Sequence, residues 1–233
     1  MIIGARTAAW EMMRGGWTNP YITDWLVGHW DGEWNSEGGK HDAVQDSLVD
    51  LSGGGHDMAF VGTHQINPKS VTIDGVSNAY GIINGLTWGP QNSQEFVLNV
   101  SAQQQYGRII AENRGFRLAE GVVDNTYMLG LCYGYGLDGA IGSATRANLG
   151  TPYSVVLTYD GEHLKYYVNG RFADQTRIVF SGSFSGQTTF FNRTSGERGV
   201  TGQIHAIRIY SRVLSAEEIA HNYESDKARF NLP

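Results

Sequence analysis

From Tyr153 to Tyr159 and from His163 to Val168, β-branched and aromatic residues run almost without interruption, broken at Asp160-Gly161 and closed at Asn169-Gly170. Asp-Gly and Asn-Gly tolerate the positive φ of two-residue turns, so this stretch predicts a β-hairpin followed at once by a second turn. Further short runs predict strands at Leu26 to Trp30, Ser70 to Ile73, Glu95 to Val100, Arg108 to Glu112, Tyr127 to Tyr133, Arg177 to Phe180, Thr188 to Phe191 and Gln203 to Tyr210. Gly, Asn, Ser or Asp clusters separate most of them, which is the pattern of an all-β antiparallel sandwich. The last run places Ile204, Ala206 and either Ile207 or Ile209 among polar residues. Ser215-Ala216-Glu217-Glu218 then has capping-box spacing and predicts a short helix, whose apolar pair Ile219 and Tyr223 docks on the sheet.

The chain has 233 residues, 41% of them hydrophobic, enough for one domain with a real core. A net charge of -6 and the lack of any Lys/Arg stripe argue against nucleic acid as a partner. The lone Cys132 excludes an internal disulfide framework. No run reaches membrane-spanning length, and Arg6, Glu11 and Arg14 interrupt the N-terminal apolar residues, so neither membrane insertion nor a secretory leader is expected. Residues 1–21 show no alternation and end in a Pro-containing turn; they read as an attachment peptide, with the main domain over 22–225 and a tail over 226–233.

The phrasing VVLTYDG and LKYYVNG, followed by GQIHAIRIYSRVLSAEEIAHNY at 202–223, resembles the late strands and closing helix of laminin-G-like, concanavalin-A-like jelly rolls. LVGHWDGEWN at 26–35 resembles that family's opening strand, which assigns Trp25, Trp30 and Trp34 mainly to the core. DLSGGGHD at 50–57 is similar to its Asp-x-Ser-Gly-x-Gly turn, and VTIDGVSNAYGII at 71–83 to a further strand and loop, with Ile73 and Asn78 departing from the pattern. The resemblance implies a jelly roll and two kinds of site. One is a structural calcium ion held by loop oxygens, for which Asp74, Asn78 and Glu197 are candidates; Asp74-Gly75 serves equally as a plain turn. The other is a glycan surface, for which Trp88, Tyr133, Tyr135, Asn192 and Arg193 offer stacking faces and polar groups. Each has a structural rival: Trp88 as a loop staple, the tyrosines as core, Arg193 as the partner of an acid.

Glycoside hydrolases on this sandwich need two carboxylates on one sheet face. The chain has no Glu-x-Asp-x-Glu cluster and no Gly-x-Ser-x-Gly elbow, so a non-catalytic role is expected. MIIGARTAAW resembles the start of virion structural proteins from phages and prophages of gut bacteria. That implies synthesis in the host cytoplasm and display on a virion as fibre, spike or capsid decoration. Its partners would be other virion proteins, reached through residues 1–21, and host-surface glycans. The alternative is a carbohydrate-binding module of a larger bacterial glycosidase or adhesin, placed outside the cell or on its surface.

Overall fold

The computed structural model describes residues 20–37, 46–103, 107–111, 122–123, 126–131, 141–148, 150–177 and 186–233. In chain order the elements are β1 (Leu26–Asp31), α1 (Gly32–Glu37), β2 (Ser47–Leu48), β3 (Met58–Val61), β4 (His64–Asn67), β5 (Ser70–Asp74) and β6 (Tyr80–Ile83). There follow β7 (Asn92–Gln103), β8 (Ile110–Ala111), β9 (Val122–Val123), β10 (Thr126–Leu131), β11 (Ile141–Asn148), β12 (Tyr153–Tyr159) and β13 (His163–Val168). The last are β14 (Arg171–Arg177), β15 (Thr188–Phe190), β16 (Val200–Tyr210) and α2 (Ala216–Phe230).

One large antiparallel sheet has the order β14-β13-β12-β7-β16-β5-β4, with β1 also paired to β16. A second sheet, β2-β3-β6-β15-β8, faces it, and β11-β10-β9 form a third. Residues of the two larger sheets meet in one core that includes Trp30, Ile73, Phe96, Leu157, Met58, Ile83 and Phe190. The expected sandwich is therefore present.

Every residue of β12 is buried because it is covered on both faces. Val155 and Leu157 enter the inter-sheet core, while Val156 joins Tyr210, Leu214 and Ile219 beneath α2. A strand with two covered faces reads as a continuous apolar run, as this one does. Asn169 and Gly170 have positive φ of 48° and 73°, as the expected turn requires.

The alternatives in β16 are resolved by a register shift between Ile204 and Ala206. The irregularity puts Ile204, Ile207 and Ile209 into the main core, whereas Ala206 joins Val97 and Tyr223 under the helix. The capping box forms as expected: Ser215 Oγ accepts from the Glu218 amide at 3.2 Å, and Glu218 Oε2 accepts from the Ser215 amide at 2.8 Å.

Several expectations need correction. Trp25 is not core but 64% exposed, in a left-handed backbone conformation just before β1. The helix runs on through the expected tail, and Asp226, Phe230 and Leu232 are buried. Tyr21, placed with the attachment peptide, is 4% exposed and belongs to the folded body. A strand unnoticed in the sequence, β14, covers Arg171–Arg177, and residues 178–180 of the run expected there lie outside the described residues.

Candidate functional site

The candidate residues fall into three regions: a loop end, a sealed charge network under α2, and an open groove on another flank of that helix.

At the loop end, Asn192 is wholly buried. Its Nδ2 donates to the Gly75 carbonyl at 2.8 Å, and its Oδ1 accepts from the amides of Arg193 at 2.7 Å and Arg198 at 3.1 Å. One amide thus pins the 75–78 turn to the 192–198 loop. A side chain so engaged has no surface to offer a sugar, which corrects its expected binding role. Trp88 is likewise 2% exposed and part of the inter-sheet core, so it staples the sandwich instead of stacking on a ligand. Tyr133 and Tyr135 lie outside the described residues. Arg193 remains partly exposed, with Nη1 4.0 Å from Glu197 Oε2.

The calcium candidates share this neighbourhood. Asp74 Oδ1 accepts from Thr201 Oγ1 at 2.8 Å and from the Ser77 amide at 3.4 Å, capping the short 3-10 turn Gly75–Ser77. These hydrogen bonds hold its carboxyl below the ordinary carboxylate pKa. Asn78 takes the left-handed conformation that ends the turn, and its Oδ1 packs against Gly196. Glu197 leans outward to Arg193. Among the described residues no three His, Cys, Asp or Glu side chains gather as a metal site. Of the three candidates Asp74 is engaged by the loops themselves, whereas Asn78 and Glu197 are exposed.

Under α2 the arrangement is ionic. Arg208, 1% exposed, donates from Nη2 to Asp226 Oδ1 at 2.6 Å and from Nη1 to Asp226 Oδ2 at 2.9 Å, with Glu95 Oε2 at 3.3 Å. Its guanidinium also lies 3.5 Å over the Tyr21 ring. Arg229 makes a second fork to Asp31, at 2.8 and 3.0 Å, and reaches Glu33 Oε2 at 2.8 Å. Lys69 closes the chain of charges on Glu33 Oε1 at 2.6 Å.

Burial pushes Glu95 up to about 7, although Arg208 and Asn222 both favour its ionised form. Burial also opposes ionisation of Asp31, but the hydrogen bonds from Arg229, together with the His29 ring 3.8 Å away, outweigh it and hold that carboxyl below the usual range. The buried His29 ring is driven below its ordinary pKa by desolvation. Sequence reasoning missed this network. Its one visible signal is Arg208 between Ile207 and Ile209, where alternation aims a charge at whatever covers the far face.

The groove lies between α2 and the β13–β14 hairpin and has a volume of about 650 Å³. Phe172 and Arg171 come from the hairpin, and Tyr223, Glu224 and Lys227 from the helix. Their spacing at i, i+1 and i+4 sets the three helical residues along one flank. Phe172 is 55% exposed although β14 holds it in place.

Comparison with known proteins supplies the family. Residues 90–220 match the family model described as the concanavalin A-like lectin/glucanases superfamily, of the laminin-G type. No curated protein matches the sequence. Among solved structures, domain 4 of AbnA, a GH43 extracellular arabinanase from Geobacillus stearothermophilus in complex with arabinotriose, is similar. It shares 15% identity and a TM-score of 0.62, over 84% of this chain and 96% of that one. The binding domain of botulinum neurotoxin serotype D gives 18% identity and 0.62, over 89% of this chain and 53% of that one. A structure of botulinum neurotoxin type C, whose cell entry is dependent upon interaction with two ganglioside molecules, gives 16% identity and 0.57, over 88% and 52%. The chain thus spans about half the length of the toxin structures. At such identities the likeness is one of fold, and the family rests on the match over more than half of the sequence: the chain belongs to the concanavalin A-like lectin/glucanase superfamily.

Proposed function

We propose that this chain is a non-catalytic glycan-recognition protein of a phage virion surface, as fibre, spike or capsid decoration. The observation that carries the non-catalytic reading is the fate of the buried acids. Among the described residues these are Asp31, Glu33, Asp50, Glu95 and Asp226. Arg229, Lys69, Arg208 and Asn222 engage four of them. Asp50 accepts from the backbone amides of His29, Ser52 and His56. A retaining glycosidase needs two acids about 5 Å apart and open to substrate. These acids are closed off inside the fold.

The sugar reading draws support from the family and from the arabinotriose-bound relative, and fold alone does not assign a ligand. The virion context rests on the resemblance carried by MIIGARTAAW, with residues 1–21 as the attachment to other virion proteins. The second reading is a carbohydrate-binding module of a secreted glycosidase or adhesin, favoured by the span of 96% of an arabinanase domain.

The test has two arms. The full chain is applied to an array of bacterial and host glycans, and its incubations with the same polysaccharides are assayed for new reducing ends. Binding without turnover is expected. Turnover that disappears in a Glu or Asp variant would refute the non-catalytic reading. Mass spectrometry of purified particles, together with the neighbouring genes, decides between virion and secreted enzyme.

A further inference from the structure

The groove beside α2 contrasts with the rest of that helix. Three of its charges are matched elsewhere: Glu218 with Arg212, Asp226 with Arg208, and Arg229 with Asp31 and Glu33. Arg171, Glu224 and Lys227, which line the groove, are exposed and have no ion-pair or side-chain hydrogen-bond partner among the described residues. Lys227 instead holds its ammonium 5.7 Å from the centre of the Tyr223 ring.

The floor is fitted to an aromatic ring. Tyr223 packs so closely on Gly170 that a β-carbon at that position would meet the ring at 2.8 Å. Above it Phe172 is set edge-on to Tyr167, with centroids 5.7 Å apart and planes at 80°, and this contact fixes the pose of an exposed ring. The neighbours of Phe172 along β14 include Arg171, Asp174 and Gln175, so burial does not account for a phenylalanine there. The volume of about 650 Å³ lies within the range of small-ligand sites.

We propose that this groove is a saccharide site that takes a neutral oligosaccharide. The apolar face of one sugar ring lies on Phe172, Arg171 and Lys227 donate to its hydroxyls, and Glu224 accepts from them. A hydroxylated ring has an apolar face and offers both donors and acceptors at its rim, which matches this set. An apolar peptide leaves three charges unanswered, and an anionic ligand meets the carboxylate of Glu224. The proposal rests on the glycan-recognition reading, and it moves the site away from the loop end indicated by the sequence.

The full chain is titrated by calorimetry with arabinotriose, maltotriose, mannotriose and sialyllactose, and with any further hit from the glycan array. At least one neutral sugar is expected to bind. Phe172→Ala should then weaken binding by about tenfold or more at an unchanged melting temperature, as loss of a central aromatic contact does. Phe172→Tyr should restore it, Glu224→Gln should weaken it, and Trp25→Ala, at an exposed aromatic outside the groove, should leave it unchanged. Wild-type binding that survives Phe172→Ala, or that falls equally in Trp25→Ala, overturns the groove and leaves the glycan reading standing. Binding confined to sialyllactose overturns the neutral ligand, and no binding to any glycan overturns both readings.

Discussion

Glu95 sits where the charges under α2 fail to balance. Asp31, Glu33, Glu95 and Asp226 face Arg208, Arg229 and Lys69, four acids to three bases. Arg208 gives its two short contacts to Asp226, which leaves Glu95 with a 3.3 Å contact to that guanidinium and 3.0 Å contacts to Asn222 Nδ2. With burial as the largest influence, the carboxyl is pushed up to about 7 from its ordinary 4.5.

The folded protein therefore holds this proton more tightly than the unfolded chain does. Its contribution to stability is fully present below about pH 4.5 and is lost as pH rises through about 7. At about 1.4 kcal/mol per pH unit, the gap sets a ceiling of roughly 3 kcal/mol. Asp31 acts in the opposite sense, because its lowered pKa makes its contribution fail only in strong acid. Buried His29 and His205, whose pKa values are lowered by desolvation, act against Glu95 in the same window, so in urea unfolding at intervals between about pH 5 and pH 8 it is the stability of wild type relative to Glu95→Gln that should fall as the pH rises. Glu95→Gln keeps an acceptor for Asn222 but cannot ionise, so the two curves should diverge by up to roughly 3 kcal/mol over that window. Parallel curves for the two proteins would refute the assignment.

Other expectations follow from packing and capping. Ser215→Ala removes one arm of the capping box and should cost about 1 kcal/mol, read as a lower urea midpoint with an unchanged slope. Trp88→Ala empties a fully enclosed site between the sheets and should cost about 3 to 5 kcal/mol, read by thermal and urea unfolding, whereas an exposed ring would leave the midpoint almost where it was.

The hairpin, the capping box and the closing strand were legible because each depends on neighbours in sequence: a Gly that accepts positive φ, a Ser three residues before a Glu, an alternation of Ile with polar residues. Trp25 and Trp88 were misplaced because apolarity does not say which side of a strand end a ring lies on. Trp25 precedes β1 in a left-handed turn, and Trp88, in a Gly-rich loop, folds back into the core. Asn192 reads as a binding residue by type, but its partners lie at Gly75 and Arg198, and only folding brings Gly75 to it. Strand β14 escaped notice because RFADQTR is an edge segment rich in polar residues. The groove needs β14 and α2 together, two segments whose meeting no local pattern encodes.

The Pro20 carbonyl accepts from His221 Nε2 at 2.7 Å and lies 3.4 Å from Ser225 Oγ, so the chain enters the described body against α2. His221 and Ser225 occupy a flank of the helix about a third of a turn from the residues that line the groove. The helix therefore works as a bracket with two separate sides. If residues 1–21 attach the protein as proposed, the mounting would be fastened to one side of the helix and the proposed groove would face outward from the other, so the two would not compete for the same surface.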